Sequence, residues 1–237
     1  CATSVSPFLP PLVSLDYVGH LHLHGEPTRM RDWVVPAPAG ATFDLPVVLV
    51  IGTSMSAGKT ESAKVVVSLL RDLGRVVVGA KLTGAARYRD PLAMWDAGAT
   101  AVYDFVDAGL PSTAVPVDDY VAAISTVLSR MGSCGADVAV VEAGASPLEE
   151  YNGAALADLI GRHLCFTVLC ASDPYAVAGL VDAFGAKPDV VAGGAANTTS
   201  GVALVSRLSG LTALNLADPH THLEFKQRLE RQLPTVA

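Results

Sequence analysis

The sequence predicts an α/β fold in which a mostly parallel sheet is covered by helices on both faces. Only 6% of the 237 residues are aromatic, whereas Ala, Val, Gly and Leu abound, as is typical of aliphatic strands buried on both sides. Short aliphatic runs also alternate along the chain with stretches of helical periodicity, which is the pattern of strands joined by crossover helices. We therefore expect one main domain with an appendage.

Seven strands are predicted in this sheet, each bounded by turn residues or by the start of a helix. They cover residues 47–51, 75–81, 101–105, 137–142, 164–171, 189–192 and 211–216. After the first strand, apolar positions recur at helical spacing from Lys59 to Leu73. Asp118 is predicted to cap a helix that Gly132 ends, and the pairs Asp173-Pro174 and Asp218-Pro219 are predicted to start two more.

The first 45 residues are predicted to form an N-terminal β extension, and residues 46–237 the main domain. Within the extension, residues 17–24 have the composition of a short strand, and residues 31–35 are a candidate partner across a Gly-Glu-Pro turn. The chain begins at Cys1 rather than at methionine, so the extension is also consistent with the remnant of a larger N-terminal part.

Charge and hydropathy exclude several classes of partner. The formal net charge is −7 and no Lys/Arg run occurs, so a nucleic-acid partner is not expected. No apolar run is long enough to span a bilayer, and the first residues lack the pattern of a signal peptide. These observations predict a cytoplasmic protein without a membrane partner. The mean hydropathy of +0.41 predicts a homodimer or a higher homo-oligomer.

A phosphate-binding loop is predicted from Gly52 to Thr60, directly after the first strand. Backbone N–H groups of such a loop face an anion, its lysine adds positive charge, and its threonine can hold Mg²⁺. Five residues rather than four separate Gly52 from Gly58, so the spacing is a variant of the usual motif. A lysine at a helix N-terminus is unfavourable unless an anion is present, which favours nucleotide binding by Lys59. The predicted nucleotide-binding residues are Gly52, Thr53, Ser54, Ser56, Ala57, Gly58, Lys59, Thr60, Glu61 and Asn197.

Polar residues end the second and fourth predicted strands, where ligands of open α/β sheets bind. Lys81 ends the second strand, and Glu142 ends the fourth after a run of aliphatic residues. Glu142 is predicted to be a metal-bridging carboxylate, with a helix cap or salt bridge as the alternative. The predicted substrate-binding residues are Lys81, Thr83, Gly84, Arg87 and Arg89. Each role has an alternative. The two arginines could simply be solvated at the surface, and the ammonium group of Lys81 could reach water without binding a substrate. Asn197 could be the N-cap of a helix.

Three histidines alternate along the N-terminal extension, so His20, His22 and His24 would share one face of a strand. His220 and His222 repeat this spacing. No carboxylates accompany them at matching spacing, so a polar strand face is favoured over a metal site. The four cysteines lack the paired spacing of zinc ligands, and neither a disulfide nor a zinc site is predicted.

These motifs resemble those of dethiobiotin synthetase and its P-loop relatives. Residues 52–60 match Gly-Thr-x-x-x-x-Gly-Lys-Thr, a Walker A variant; residues 81–84 read Lys-Leu-Thr-Gly, and residues 140–144 read Val-Val-Glu-Ala-Gly. The loop and residues 103–109 are still more similar to a P-loop family that includes D-glutamate N-acetyltransferase-like proteins. The resemblance covers about residues 47–219 and implies a three-layer P-loop NTPase-like fold.

The resemblance implies a set of roles for these residues. Lys59 would contact the β and γ phosphates, and Thr60 and Glu142 would hold Mg²⁺. Lys81 and Thr83 would lie on the acceptor side. In dethiobiotin synthetase an aspartate that follows Gly-Thr helps with the metal, whereas this chain has the uncharged Ser54 there.

The implied function is an ATP-dependent ligase or transferase that uses Mg-ATP to activate a small carboxylate or carbamate. Its catalytic residues would be Lys59, Lys81 and Glu142, and its partner a small acidic substrate. One alternative is an N-acyltransferase that acts on an amino acid with an acyl-CoA donor. The other is a non-catalytic, nucleotide-responsive binding domain, which Ser54 favours. The sequence leaves open ATP, GTP or a CoA ester as the bound nucleotide.

Overall fold

A computed structural model describes residues 8, 13–144, 146–185 and 187–235. Its central sheet has six strands, and every neighbouring pair within it is parallel. A separate antiparallel pair, β1 (His22–Leu23) and β2 (Glu26–Pro27), lies in the N-terminal extension. The six strands are β3 (Val47–Gly52), β4 (Val77–Lys81), β5 (Ala101–Asp104), β6 (Val138–Glu142), β7 (Leu164–Cys170) and β8 (Val190–Ala192). Their order across the sheet is β5-β4-β6-β3-β7-β8.

Helices connect the strands and cover both faces of the sheet. They are α1 (Lys59–Asp72), α2 (Arg89–Asp96), α3 (Val117–Gly132), α4 (Gly153–Ile160), α5 (Pro174–Phe184), α6 (Thr199–Ser209) and α7 (His222–Gln232). Short 3₁₀ helices occupy Met30–Trp33, Phe105–Ala108, Gly161–His163, Gly193–Ala196 and Pro219–Thr221. Among the residues described, no helix has the length and apolar character needed to cross a membrane.

The core has two halves because alternate strand residues point to opposite faces of the sheet. Val48 and Val50 of β3 pack with α1, α2 and α7, and Leu49 and Ile51 pack with α3, α4, α5 and α6. Both halves consist mainly of fully buried aliphatic side chains. This arrangement confirms the predicted three-layer α/β fold with helices on both faces.

The seventh predicted strand, residues 211–216, does not form. The segment makes a single parallel bridge, in which Val191 and Ala213 are partners. Two backbone hydrogen bonds support the bridge: Val191 donates to Thr212 at 2.8 Å, and Leu214 donates to Val191 at 2.9 Å. The ladder is this short because β8 ends at Ala192 and a 3₁₀ helix follows at once.

The N-terminal extension differs from its prediction in both of its strands. The predicted strand at residues 17–24 is reduced to the two residues of β1. The predicted partner at residues 31–35 is largely a 3₁₀ helix, because the Asp32 carboxylate accepts a hydrogen bond from the Arg29 amide at 2.8 Å and closes a turn. The helix predicted to be capped by Asp118 begins two residues earlier than that cap implies, at Val117, with Pro116 at the N-cap position.

Candidate functional site

The predicted phosphate loop joins the central strand β3 to the start of α1. Gly58 lies in the left-handed region with φ of 101°, and Ser56 has φ of 64°. Two hydrogen bonds fix the start of the loop to the end of β7: the Thr53 amide donates to Cys170 O at 3.0 Å, and the Ser172 amide donates to Thr53 Oγ1 at 3.2 Å. The local sequence therefore forms the strand, loop and helix that it predicts.

Lys59 is held inside this loop and is only 7% exposed. Its Nζ donates a hydrogen bond to the Ser54 carbonyl oxygen at 2.8 Å. Burial lowers the pKa of Lys59, and the negative charges of Glu142 and Glu149 partly offset that effect. A buried ammonium group at the start of a helix is poorly solvated where it stands, so an anion bound to the loop would stabilise it.

Beside Lys59, four side chains from four different elements form one buried polar network. Thr60 Oγ1 donates towards Glu142 Oε1 at 3.1 Å and lies 3.4 Å from Asp90 Oδ1. The ammonium group of Lys81 donates to Asp90 Oδ2 at 2.5 Å. Glu142 is 2% exposed, and Asp90 and Lys81 are each 5% exposed. Asp90 stands at the start of α2, nine positions after Lys81, and no role was predicted for it.

The carboxylate of Glu142 has an incomplete set of partners in this network. Its Oε2 is buried and accepts no hydrogen bond among the residues described. Burial, followed by the nearby charge of Asp90, raises the pKa of Glu142 to about 7 even though Lys81, Thr60 and Lys59 act in the opposite direction. A buried oxygen without a partner is costly, and a cation would satisfy it.

Thr60, Asp90 and Glu142 fit a hard divalent cation such as Mg²⁺. Hydroxyl and carboxylate oxygens are the ligands that Mg²⁺ prefers, and it is usually bound by one or two carboxylates together with phosphates. Asp90 brings a second carboxylate to the group, although Ser54 carries no charge. Thr60 and Glu142 were predicted as metal ligands, and the structure places them together.

Thr83 and Gly84, two of the predicted substrate residues, lie in the contact between the tips of β4 and β6. Thr83 is fully buried, and its Oγ1 accepts a hydrogen bond from the Gly144 amide at 2.8 Å. The Gly84 amide donates to Thr113 Oγ1 at 2.8 Å. Lys81 donates to Ala85 O at 3.1 Å as well as to Asp90. The polar groups of Lys81, Thr83 and Gly84 named here therefore form hydrogen bonds within the protein that connect the segments around the site.

The two predicted substrate arginines, Arg87 and Arg89, lie at the surface beside this network. Both are exposed, and Arg89 is the first residue of α2. Neither takes part in an ion pair within the described part of the chain. They remain available to an acidic ligand at the carboxyl edge of the sheet.

A cavity of about 260 Å³ lies on the other side of the phosphate loop. The start of α1, the 3₁₀ helix after β8 and the segment before α7 enclose it. Its lining residues are Ser56, Ala57, Gly58, Glu61, Ser62, Val65, Gly193, Gly194, Asn197, Asn215, Leu216 and Ala217. Asn197 is not the N-cap of α6, because Thr198 caps that helix through a hydrogen bond from the Gly201 amide. It stands instead at the C-cap position of the 3₁₀ helix Gly193–Ala196. Asn215 was not predicted as a site residue, because it lies inside the segment that was predicted to be a seventh strand.

Gly193 shapes the wall between this cavity and the phosphate loop. It has φ of 77°, and a Cβ atom there would lie 2.1 Å from the Ala57 carbonyl oxygen. No side chain fits at that distance, so the strand end and the loop approach each other only because residue 193 is glycine.

Gly193→Ala is therefore expected to displace the loop and to destabilise the fold by about 1–3 kcal/mol. Chemical denaturation measures this loss. Gly210→Ala is the matched control, since Gly210 also has a positive φ, of 69°, and nothing lies within 4 Å of a Cβ atom there. Equal free energies of unfolding for the two variants would contradict the close contact.

The histidines and cysteines form no second site in the described part of the chain. His22 Nδ1 lies 3.1 Å from Gly25 O, and His222 Nε2 lies 3.0 Å from Leu216 O. No group of three or more His, Cys, Asp or Glu residues that could hold a metal is found among the described residues. Cys134, Cys165 and Cys170 are free thiols, and Cys1 lies outside the described residues.

No protein-family model matches the chain, and no curated protein matches it. Among solved structures, the chain is similar to a DUF1611 family protein from Anabaena variabilis, with 15% identity and a TM-score of 0.51 over 84% of this chain and 61% of that one. It is also similar to chloroplast FtsY from Physcomitrella patens, with 14% identity and a TM-score of 0.51 over 84% of this chain and 70% of that one. These two structures share the three-layer, P-loop NTPase-like α/β fold of this chain.

This result confirms the predicted P-loop fold. Identities of this size show the fold alone, and the narrower resemblance to dethiobiotin synthetase stays a prediction. The chain spans 61% of the length of the DUF1611 family protein.

Proposed function

We propose that this P-loop domain binds Mg-ATP and uses it to activate a small carboxylate or carbamate. The observation that carries the proposal is the convergence of Thr60, Asp90 and Glu142 beside Lys59, with Glu142 Oε2 lacking a hydrogen-bond partner. Anion-binding amides and lysine stand next to oxygen ligands for a cation. This is the combination that phosphoryl transfer requires.

The nucleotide would bind with its phosphates on the loop from Gly52 to Thr60. The Lys59 ammonium group would give up its hydrogen bond to Ser54 O and donate instead to oxygens of the β and γ phosphates. The cavity that Asn197 and Asn215 line would take the base, since it adjoins the loop and offers amide donors and acceptors. The loop, Glu61 and Asn197 keep the roles that were predicted for them.

In the proposed reaction, an oxyanion of the acceptor attacks the γ-phosphorus. A bond from that oxygen to phosphorus forms, the bond to the bridging oxygen breaks, and the electron pair leaves on ADP. Lys59 stabilises the negative charge that develops on the phosphoryl oxygens. Thr60, Asp90 and Glu142 would hold Mg²⁺, which neutralises charge on the phosphates.

The acceptor would approach from the side of β4. Lys81 acts there through its ion pair with Asp90, which fixes the position and the charge of that carboxylate. Arg87 and Arg89 are the exposed cations on this side and would bind an acidic substrate.

A cytoplasmic location and a homo-oligomeric state stay predictions. Light scattering would measure the oligomeric state.

A thermal-shift titration with ATP, GTP and acetyl-CoA, each with and without Mg²⁺, tests the proposal. ATP with Mg²⁺ is expected to raise the melting temperature of the parent chain, because a ligand stabilises the state that binds it. Lys59→Ala is expected to abolish that shift. Lys226→Ala is the control, because Lys226 pairs with Asp72 at the opposite end of α1 from the phosphate loop.

Each other outcome points to a different function. A shift with acetyl-CoA but not with ATP would identify the N-acyltransferase. A shift with ATP but no ADP release with any small acid would favour the nucleotide-responsive binding domain. An equal shift in the parent and in Lys59→Ala would refute nucleotide binding by the loop.

A further inference from the structure

Helix α2 carries an exposed apolar stripe, formed by Tyr88, Leu92 and Trp95. These residues are spaced i, i+4 and i+7, and Tyr88, directly before the helix, already has helical backbone angles, so the three side chains lie along one line. Tyr88 is 75% exposed, Trp95 is 52% exposed, and Leu92 is half-buried. Asp90 lies on another side of the helix and reaches Thr60 of α1 at 3.4 Å. The apolar stripe therefore faces away from α1.

The apolar stripe has the composition of the centre of a protein–protein interface, where tyrosine, tryptophan and arginine are enriched. Each aromatic side chain can bury about 150–250 Å². Together with the charged residues beside it, the stripe supplies about half of the roughly 800 Å² that each partner buries in a standard interface. The outermost strand β5 adjoins α2 and presents a free edge on the same side. A surface of this size fits a reversible interface.

Two charged residues flank the apolar stripe, and their order is unfavourable for an isolated helix. Arg89 is the first residue of α2 and Asp96 is the last, and both are exposed. The helix dipole favours the opposite order, with acids at the N-terminus and bases at the C-terminus. The two residues lie about 10 Å apart along the helix axis, too far to pair with each other. Neither takes part in an ion pair within the described part of the chain.

A second copy of the same helix would supply the missing partners. If two α2 helices pack antiparallel about a two-fold axis near Leu92, the start of each helix lies beside the end of the other. Arg89 then faces Asp96 of the partner subunit at both ends of the contact, and the two helix dipoles oppose each other. Trp95 lies beside Tyr88 of the partner subunit. The face is thus complementary to itself in apolar surface and in charge, as a two-fold interface requires.

We propose that the exposed face of α2 is the interface of a symmetric, reversible homodimer of this chain. The apolar stripe forms its centre, and Arg89 and Asp96 form ion pairs at its two ends. The interface borders the candidate cation site, because Asp90 belongs to the first turn of the same helix. The guanidinium group of Arg89 has five N–H donors, so it can bind the partner's Asp96 and still face an acidic substrate. The dimer requires no bound nucleotide.

Sedimentation velocity over a range of protein concentrations, at low ionic strength, tests the dimer. The parent chain is expected to pass from the mass of one chain to that of two between about 1 and 100 µM. Asp96→Arg is expected to raise the dimer Kd about ten-fold or more, because it places two arginines together at each end of the interface. The double variant Arg89→Asp/Asp96→Arg restores opposite charges, and its Kd is expected to lie within about three-fold of the parent value.

Asp158→Arg is the matched control for the charge change. Asp158 is an exposed acid in the last turn of α4, which is also eight residues long and packs on the other face of the sheet. Its dimer Kd is expected to equal that of the parent. Asp96→Arg follows the preference of the helix dipole, so its melting temperature is expected to be no lower than the parent's at a concentration where both are single chains. A lost dimer then reports the interface and not unfolding.

The fluorescence of Trp95 locates the interface independently of the mass. The chain has two tryptophans, so Trp33→Phe leaves Trp95 as the only one. Its emission is expected to shift to shorter wavelength as the dimer forms, because the ring leaves water.

Four results would overturn the inference. The first is a parent that stays a single chain up to about 500 µM. The second is an equal dimer Kd in Asp96→Arg and Asp158→Arg, which would place the contact on another surface. The third is a double variant that dimerises no better than Asp96→Arg, since antiparallel helices would then not be in contact. The fourth is a Trp95 emission that stays constant while the mass doubles.

Discussion

Lys81→Met is expected to lower the free energy of unfolding by about 3–5 kcal/mol, since it removes one partner of a buried ion pair. The Asp90 carboxylate would keep only the Thr60 hydroxyl as a donor and would stand beside the buried Glu142. Methionine preserves most of the volume of the lysine stem, so the loss reports charge rather than packing. Urea denaturation at neutral pH in the presence of a chelator measures it.

Lys64→Met is the matched control, because its ion pair with Glu61 is exposed and surface pairs contribute at most about 1 kcal/mol. The double variant Lys81→Met/Asp90→Leu is expected to recover much of the lost stability, because it removes both charges and leaves no unpaired buried carboxylate at position 90. A loss in Lys81→Met no larger than in Lys64→Met would show that the pair contributes nothing to the fold.

Glu142 is expected to make the fold less stable as the pH rises from 5 to 8 in the absence of divalent cations. Its pKa is about 7 in the folded chain, against an ordinary value of 4.5. Between these values the folded state holds a proton that the unfolded state has released, so the free energy of unfolding falls with rising pH. The full difference corresponds to about 3 kcal/mol above pH 7. Denaturant titrations at pH 5 and pH 8 with a chelator measure the fall.

In Glu142→Gln this fall is expected to be smaller by about 3 kcal/mol, because glutamine does not ionise. Asp104 has its pKa raised to about 6, chiefly by burial, but it is present in both proteins and cancels in the comparison. Glu224→Gln, which changes an exposed acid, is expected to behave like the parent. Adding Mg²⁺ at pH 8 is expected to stabilise the parent and not Glu142→Gln. The same fall in the parent and in Glu142→Gln would remove Glu142 as its cause.

The sequence was sufficient to predict the strand, loop and helix of residues 47–60 because all of their determinants are local. A buried strand, a glycine-rich turn and a helix that begins at Lys59 follow one another within fourteen residues, 47–60. Glu142 was predictable for a similar reason, since an acid after four aliphatic residues marks a strand tip. The parallel sheet brings the end of β3, which leads to Lys59, and the end of β6, which carries Glu142, to the same edge.

Asp90 could not be predicted in the same way, because its role depends on how far α2 turns back towards the sheet. In the sequence it is one of several polar residues after Lys81, and only its burial distinguishes it. A weak signal existed in Asp90-Pro91, a pair typical of a helix start. The prediction of a strand at residues 211–216 was wrong. The aliphatic composition of this segment favours a strand, but β8 is too short to form more than a single bridge with it.

The two hydrogen bonds between the Gly144 amide and Thr83, at 2.8 Å to Oγ1 and 3.0 Å to O, cross-link the strand tips that carry Lys81 and Glu142. The distance between those tips is therefore established when the domain folds, and little conformational entropy is left to lose when a cation binds. A cation that binds at this edge would then meet ligands whose separation is already set. Amide hydrogen exchange at Gly144 should accordingly be as slow before a cation is added as after it.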